Sequence, residues 1–476
     1  MILAGAGSGK TRTLVGRMSY LLEEKKISPF RILGLTFSNK AAGEMRERVA
    51  GEVSQDVGAL QLTTFHAFCA RVLRNEAKHL GLSRNFTIYD ASESKTIVKN
   101  ILKKRGISSK ETPPRSILYF ISHIKNHGHY RGREFNDEDF ELETDDDFFA
   151  YYEEYETELL RSNALDFGGL ICGVIELFEK FPKILERYQE RFQYILVDEY
   201  QDTNRAQYRL LSMLSNKKRN ICVVGDEDQS IYSWRGADIR NIIDFEKEFP
   251  DVETIKLEQN YRSTKTIIEA ASHVIARNTL RKGKNLWTSN DEGEFIDIIE
   301  CESDKTEAEY VSKEIKNLIK KGVSRDEIAV FYRTNSQSRL IEESLRKDKT
   351  QYRVVGGVKF YERKEIKDLL AYLRLVINPQ DNLALSRIIN VPARGIGATT
   401  LRKLETEAVN QNGHLWGVLE KITDSPQDYK HIRMSTKVKS SFNEFVSLVS
   451  EAQSLEKQAI APSSIYEKVL YGSGDY

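Results

Sequence analysis

Residues 4–11, with the sequence AGAGSGKT, constrain the fold of this chain more than any other segment. They match a phosphate-binding loop, in which small residues let backbone N–H groups approach phosphate oxygens, a lysine reaches the β- and γ-phosphates and a hydroxyl holds Mg²⁺. Ala4 stands where the pattern has its first glycine, and a glycine-rich turn without a ligand is the alternative. The predicted nucleotide-binding residues are Ala4, Gly5, Ala6, Gly7, Ser8, Gly9, Lys10, Thr11 and Arg12, with Thr11 as a magnesium ligand.

A loop of this kind normally leaves the end of a buried β-strand, yet only Met1, Ile2 and Leu3 precede it. Strands typically have about 5–6 residues. We therefore expect these three residues to fill the position of that strand poorly, and Met1 to mark the edge of a fragment.

Composition excludes several classes of protein. The 71 basic and 71 acidic residues cancel, so any nucleic-acid contact must come from a local patch. The four cysteines are far apart in the sequence, which argues against a disulfide framework or a zinc site and fits a reducing cytoplasm. The chain also lacks a signal peptide and a long apolar run, so we expect no membrane span.

The first part of the chain reads as a parallel α/β sheet. Several short apolar runs lack alternation, as expected for strands buried on both faces, and helical stretches separate some of them. Residues 66–190 have helical texture, and the acidic block 136–147 within them reads as a solvated surface segment. The predicted strands lie within 31–37, 60–65, 194–199, 220–226 and 253–258.

A second α/β unit is predicted further along the chain. Its expected strands are Ile296–Glu300, Ile328–Thr334 and Tyr352–Val355, which are short and apolar. From Glu362 onward the pattern turns helical, with Ile366, Leu369, Leu370 and Leu373 on one face.

The segment ILVDEYQDT (195–203) supplies the second half of a nucleotide site. An apolar strand ends in two adjacent carboxylates, of which Asp198 is the predicted magnesium ligand and Glu199 the group that polarises the attacking water. Consecutive strand residues point to opposite faces, so both can act only where the backbone leaves the sheet. A salt-bridged strand terminus is the alternative.

Two further segments add catalytic candidates. In VVGDEDQSIYSWRGAD (223–238), Gln229 is positioned to sense the γ-phosphate, and an aromatic and basic cluster follows it. In LEQNYRST (257–264), Arg262 is a candidate arginine finger and Tyr261 a candidate for stacking on a base. Each residue alone is more often structural, so the set carries the prediction.

These segments, together with TFSNKAA (36–42), TTFHAF (63–68), VFYRTNSQSR (330–339), VVGGVKFYERKEIKD (354–368) and NVPARGIGATT (390–400), resemble the ordered motifs of superfamily-one DNA helicases of the UvrD/Rep/PcrA group. The resemblance extends over essentially the whole chain. It implies two RecA-like domains with ATP and Mg²⁺ between them, each domain carrying a helical insertion. The expected domains are 1–84 with 191–260, the insertion 85–190, the start of a second RecA-like domain at 261–356 and its insertion at 357–476.

The resemblance also implies a DNA-binding surface. An ATP-driven motor would move along single-stranded DNA in the 3′-to-5′ direction, and its partners would be single strands, single-strand/duplex junctions and repair or replication proteins. The residues in matching positions near the single strand are Thr36, Phe37, Asn39, His66, Tyr232, Trp234, Arg235, Arg333 and Asn335. Arg394, Gly395 and Gly397 read equally well as a hairpin that holds duplex phosphate and as a turn between helices.

The group usually has further residues before the phosphate loop, including a glutamine that reads adenine, and later motifs that include a second arginine finger. Neither is found here, so we expect Tyr476 also to be an edge. An arginine finger contributes about 10³–10⁵ in rate in related enzymes. We expect the parent protein to be active, but this chain to bind nucleotide weakly, if at all, and to unwind nothing.

Two other functions stay open from sequence. The first is the helicase subunit of a nuclease-linked recombination complex, which would carry a nuclease domain. The second is a DNA-binding module without activity. Intact Lys10, Thr11, Asp198, Glu199 and Gln229 argue against the second for a parent protein. A small-molecule kinase would not need the aromatic cluster or the long helical insertions.

Overall fold

A computed structural model of the chain describes residues 1–133, 146–355, 363–411, 413–432 and 434–473. The strands are β1 Ile2–Ala4, β2 Ile32–Thr36, β3 Gln61–Thr64, β4 Thr87–Tyr89, β5 Ala164–Asp166, β6 Tyr194–Val197, β7 Ile221–Gly225, β8 Ile255–Leu257, β9 Gln259–Asn260 and β10 Trp287–Thr288.

Helices account for most of the remaining regular structure. They are α1 Lys10–Glu23, α2 Asn39–Glu52, α3 Phe65–Glu76, α4 Ala91–Lys104, α5 Pro114–Asn126, α6 Asp146–Arg161, α7 Phe167–Lys180, α8 Pro182–Arg191, α9 Arg205–Ser215, α10 Arg240–Ile243, α11 Phe245–Glu248, α12 Lys265–Ile275, α13 Asp304–Lys320, α14 Asn335–Lys347, α15 Lys364–Ile377, α16 Asn382–Ile388, α17 Ala398–Asn410, α18 Leu415–Asp424, α19 Thr436–Lys457 and α20 Pro462–Ser473.

A parallel six-stranded sheet forms the centre of the first part of the chain, in the order β3-β2-β6-β7-β1-β8. All five apolar runs predicted as strands are confirmed. The expectation that the residues before the phosphate loop fill the strand position poorly is wrong, because Ile2–Ala4 form a strand that pairs with both β7 and β8. Two neighbours supply enough ladder hydrogen bonds for three residues to complete the sheet.

Burial on both faces explains why the strands lack alternation. Leu3 and Leu33 belong to one core cluster, whereas Ile2, Ala4 and Ile32 belong to a second. Consecutive side chains therefore leave the sheet on opposite sides and each side is covered by helices. The predicted α/β class with a parallel sheet is confirmed.

The chain between β3 and β6 is mainly helical, from α3 to α8, with one short parallel pair of strands, β4 and β5. Helices α4, α5 and α6 share their own apolar core, which includes Ile101, Phe120, Tyr152 and Leu159. Most of the acidic block 136–147 lies outside the described residues.

The described chain divides into two compact units, one of residues 1–293 with 371–476 and one of residues 294–370. In the second unit, α13 packs against α14. The three segments predicted as strands, 296–300, 328–334 and 352–355, are not strands. A strand requires a hydrogen-bonded neighbour, and none of the three pairs with another described segment. Phe295, Ile298 and Phe331 are accordingly more than nine-tenths exposed.

The C-terminal helices α16–α20 belong to the first unit. A buried polar joint ties the chain just before α16 to the β4–β5 region, where Asn378 Nδ2 donates to Thr87 Oγ1 at 2.9 Å and to the carbonyl of Asn163 at 3.0 Å. Tyr89 also donates to Asp381, at 2.6 Å. Part of the 354–368 motif lies outside the described residues. Among the described helices, none combines the length and apolarity that a membrane crossing needs.

Candidate nucleotide site and DNA groove

The phosphate loop joins β1 to α1 with two glycines in the left-handed region, Gly7 at φ 71° and Gly9 at φ 93°. Gly9 is the N-cap of α1, so the first N–H groups of the helix face the loop without side-chain partners. A helix N-terminus of this kind favours phosphate through its free N–H groups and its dipole. Inside the loop, the Ser8 hydroxyl donates to the Gly5 carbonyl at 2.8 Å.

Lys10 meets the carboxylates that follow β6. Its Nζ lies 3.1 Å from Glu199 Oε2, and Gln201 Nε2 donates to the same oxygen at 2.9 Å. Glu199 has φ 48°, so the backbone turns sharply at the end of the strand. That turn lets the neighbouring Asp198 and Glu199 serve one edge of the sheet, although strand residues normally alternate between faces.

Two carboxyls at this edge are hard to ionise. Burial, and then the charge of Glu199, raise the pKa of Asp198 to about 6. The same two causes raise the pKa of Asp202 to about 6. A buried carboxylate of this kind is stabilised by a cation.

The donor set suits Mg²⁺ bound together with a triphosphate. Mg²⁺ prefers oxygen ligands and is usually held by one or two carboxylates, substrate phosphates and water. Asp198 and the Thr11 hydroxyl offer such oxygens. Within the described residues, no group of three or more His, Cys, Asp or Glu side chains could hold a metal by itself.

The loop after β7 lies between the ends of β6 and β1 in the sheet order. Its Asp226 N–H donates to Gln201 Oε1 at 2.9 Å, and the Gln229 side chain donates to the Asp226 carboxylate. Gln201 therefore links Glu199 to the loop that carries Gln229.

Strand β9 fixes the candidate arginine finger beside the phosphate loop. Asn260 Nδ2 donates to the Ala6 carbonyl at 2.6 Å, and Asn260 Oδ1 accepts from the backbone N–H of Arg262 at 2.8 Å. The Tyr261 N–H donates to the Gly7 carbonyl at 3.0 Å, while the Tyr261 ring is 66% exposed. A Cβ added at Gly7 would meet Arg262 Cβ at 2.9 Å.

A second cluster is aromatic. Phe37, just after β2, stacks on Tyr232 with ring centroids 5.0 Å apart and an interplanar angle of 21°. The Arg235 guanidinium lies 4.5 Å from the Trp234 ring centroid and 5.1 Å from that of Tyr232. Trp234 is 63% exposed, so the part of its ring that Arg235 does not cover is open to a partner.

A cavity of about 550 Å³ is lined by residues from both clusters, although none of its lining residues belongs to the phosphate loop. Asp198 and Glu199 line it together with Phe37, Tyr232 and Arg235. Predicted DNA-contacting residues Thr36 and His66 line it as well, whereas Asn39 is exposed at the start of α2. Burial lowers the pKa of His66, and its ring meets that of Phe167 edge-on at 5.5 Å.

Hydrogen bonds tie the segment after Glu199 to α10 and to residues 230–238, which carry Tyr232, Trp234 and Arg235 and which we call the aromatic loop. The Thr203 carbonyl accepts from Asp238 N at 3.0 Å and from Asn241 Nδ2 at 2.9 Å. Asn126, at the end of α5, accepts from Asn204 Nδ2 at 2.8 Å and donates to the Arg235 carbonyl at 3.3 Å.

The remaining predicted DNA contacts lie elsewhere. Arg333 and Asn335 are exposed residues of the 294–370 unit. Around Arg394, the backbone N–H groups of Arg394 and Ile396 donate to Asn390 Oδ1, and the Arg394 guanidinium donates to the carbonyls of Ile388 and Val391. These contacts favour the turn between helices over the phosphate-holding hairpin. Gly395 has φ 74° and Gly397 is the N-cap of α17.

Sequence reasoning overlooked Gln201 and Asn260, whose side chains bond to the two halves of the candidate nucleotide site. Both lie inside the quoted motifs DEYQDT and EQNYRST. The only indication in the sequence was therefore an amide side chain among charged residues. Gln201 is 1% exposed and Asn260 is 2% exposed.

Comparison with known proteins agrees with this geometry. Residues 1–250 match the UvrD/REP helicase N-terminal domain, and residues 255–465 match the UvrD-like helicase C-terminal domain. The protein named ATP-dependent DNA helicase PcrA in Staphylococcus epidermidis is 47% identical to the whole of this chain, and that of Staphylococcus aureus is 46% identical. The chain spans 64% of the length of each relative.

Proposed function

The chain belongs to the UvrD/REP helicase family, and we propose on this basis that it forms the ATP- and DNA-binding part of an ATP-dependent DNA helicase. The proposed motor moves on single-stranded DNA in the 3′-to-5′ direction. The observation that supports this best is the single cavity lined both by Asp198 and Glu199 and by Phe37, Tyr232 and Arg235.

The proposed chemistry is ATP hydrolysis. Backbone N–H groups of residues 5–11 bind the phosphates, and Lys10 leaves Glu199 to contact the β- and γ-phosphates. Thr11 and Asp198 would hold Mg²⁺, which neutralises phosphate charge when bound. Glu199 accepts a proton from the attacking water, Gln229 senses the γ-phosphate, and Arg262 offsets the charge that develops there. Tyr261 stacks on the base.

The proposed DNA contacts are mainly stacking. Phe37, Tyr232 and Trp234 offer ring faces to unpaired bases, which suits a motor that must tolerate every sequence. Arg235 adds a cation over two of these rings. Thr36, Asn39 and His66 would contact the backbone or bases near Phe37, and Arg333 and Asn335 are proposed DNA contacts of the second unit.

Single-stranded DNA should therefore stimulate ATP hydrolysis, and the Lys10→Ala or Glu199→Gln variant should abolish the stimulated rate. Lys25→Ala, which removes an exposed lysine beyond the C-terminal end of α1, is the control, and we expect it to leave the stimulated rate unchanged. Hydrolysis at one rate with and without DNA would contradict the proposed coupling.

We also propose that these 476 residues alone do not unwind duplex DNA, since they span 64% of the relatives' length. A strand-displacement assay on a duplex with a 3′ single-stranded tail should show no ATP-driven product. Unwinding by the chain would refute this proposal.

We also propose that the motor acts in the cytoplasm and that its substrates are intermediates of DNA repair or replication.

A further inference from the structure

Lys284 is a buried cation that no motif of the nucleotide site includes. Its side chain is 1% exposed, and its Nζ lies 2.5 Å from Asp226, 3.0 Å from Glu227 and 2.8 Å from Asp228. Burial lowers its pKa, but the three carboxylates outweigh this and raise it. Lys284 is therefore a permanent positive charge inside a set of acids.

The three acids belong to the loop between β7 and Gln229. Arg281 also reaches this loop, with two hydrogen bonds to Asp228 at 2.8 and 2.9 Å. Because β7 lies between β6 and β1, the loop leaves the same edge of the sheet as Asp198 and the phosphate loop. Three uncompensated carboxylates there would repel the phosphates, and Lys284 and Arg281 reduce that charge.

The segment that carries Lys284 also touches the phosphate loop. Leu286 packs so closely on Gly5 that a Cβ added at Gly5 would come within 2.2 Å of Leu286 Cδ2. Trp287, in β10, pairs with Gln259 of β9. Residues 281–287 thus bridge the phosphate loop and the acidic loop; we call them the clasp segment.

We propose that Lys284 is a positioning residue for the nucleotide site. It holds one oxygen of Asp226 while the other accepts from Gln229, and so keeps Gln229 in place and cancels charge that would oppose a triphosphate. This inference rests on the proposed ATP site and extends it to a segment outside the known motifs.

The first test measures the affinities of fluorescent ATP and ADP analogues for the 476-residue chain with Mg²⁺. Lys284→Met keeps most of the buried volume but removes the charge, so the ratio of ATP to ADP affinity should fall about tenfold because ATP carries one more negative charge. Lys282→Met is the matched control, since Lys282 pairs with Glu246 instead, and its ratio should stay within about twofold of wild type.

Charge rescue separates electrostatics from packing. In the Lys284→Met background, Glu227→Gln removes one of the excess carboxylates and should restore at least half of the lost ratio. Glu227→Gln alone, which keeps the lysine, should not lower the ratio. An unchanged ratio in Lys284→Met, an equal loss in Lys282→Met or no rescue would overturn the proposal.

Hydrogen–deuterium exchange without nucleotide gives a second readout. The N–H groups of Asp228 and Gln229 bond to Asp226, so Lys284→Met should speed exchange in residues 226–230 and Lys282→Met should not. Unchanged exchange in both variants would overturn the positioning role. If the wild-type chain bound no ATP analogue while exchange changed as stated, the proposed nucleotide binding by this chain would fail, whereas the role of Lys284 in holding Asp226 and Gln229 would stand.

Discussion

At the scale of single residues, the candidate site contains charged groups whose burial lowers the stability of the folded chain. Asp198 is 6% exposed, and its pKa of about 6 lies above the ordinary value of 3.8. Its charged form therefore destabilises the folded state at neutral pH, and the destabilisation disappears as pH falls through 6 toward 4. The presence of a buried aspartate here is better explained by the binding of a cation than by a contribution to stability.

We predict that Asp198→Asn raises the free energy of unfolding at pH 7.5 by about 1–3 kcal/mol, measured by urea denaturation in the presence of EDTA. The gain should shrink at pH 5, where the folded-state carboxyl is mostly protonated. Asparagine Oδ1 can still accept from the Glu199 N–H, as Asp198 does at 3.0 Å. Asp251→Asn, at an exposed position, is the control. A loss of stability at pH 7.5 would show that burial does not oppose this charge.

Trp234 is a large exposed side chain in the aromatic cluster, where a stacked base would cover it. Trp234→Ala should weaken binding of a fluorescent oligo(dT) by about 1–3 kcal/mol, the contribution of one stacked base, and leave nucleotide affinity unchanged. Phe30→Ala is the control, because it removes another exposed ring (59% exposed) that lies just before β2, at the opposite edge of the sheet. This variant should bind oligo(dT) as the wild type does. Equal losses of DNA and nucleotide affinity in Trp234→Ala would assign Trp234 a structural role.

At the scale of elements, loops that leave the carboxyl ends of parallel strands converge because the strands are parallel. Sequence patterns predicted this part of the fold well, since a run such as 194–197 is apolar at every position when both faces are buried. They failed for 296–300 and 328–334, because a segment forms a strand only when a neighbouring strand pairs with it, and the sequence of the segment alone does not show whether such a neighbour exists. Ile2–Ala4 show the opposite error, where two neighbours stabilise a strand that is too short to predict.

The contact between α5 and the aromatic loop was also beyond sequence patterns. Asn126 lies more than 100 positions before Arg235, whose carbonyl it contacts, so only the packing of α5 brings them together. Gly236, next in the chain, has φ 88°, and a Cβ there would come within 2.2 Å of Asn126 Nδ2. The glycine is therefore required both by backbone conformation and by this contact.

A double-mutant cycle tests that joint. Backbone strain alone should make Gly236→Ala lower the free energy of unfolding by about 1–3 kcal/mol. Because the added Cβ also meets Asn126, we expect a larger decrease. In an Asn126→Ala background the same change should cost less, because the clash is gone while the strain persists. Gly132→Ala, at φ 76° with open space around the added Cβ, measures the strain alone. Additive effects at 126 and 236 would contradict the predicted contact.

At the scale of the whole molecule, the account depends on two sites sharing one edge of one sheet. Residues 198–204 belong to both, since Asp198 and Glu199 face the nucleotide loop and Thr203 holds the aromatic loop. A nucleotide that moved Lys10 away from Glu199 would therefore change a segment that is directly bonded to the loop proposed to contact DNA. Such a coupling between the two proposed sites would be reciprocal.

The most direct test measures the affinity of the chain for fluorescent oligo(dT) with and without a saturating, non-hydrolysable ATP analogue and Mg²⁺. We predict that the analogue changes DNA affinity by about fivefold or more, the usual range for coupled sites, and that Lys10→Ala removes the change while binding DNA as wild type does without nucleotide. DNA affinity that is identical with and without the analogue, in a chain that binds both, would contradict the account.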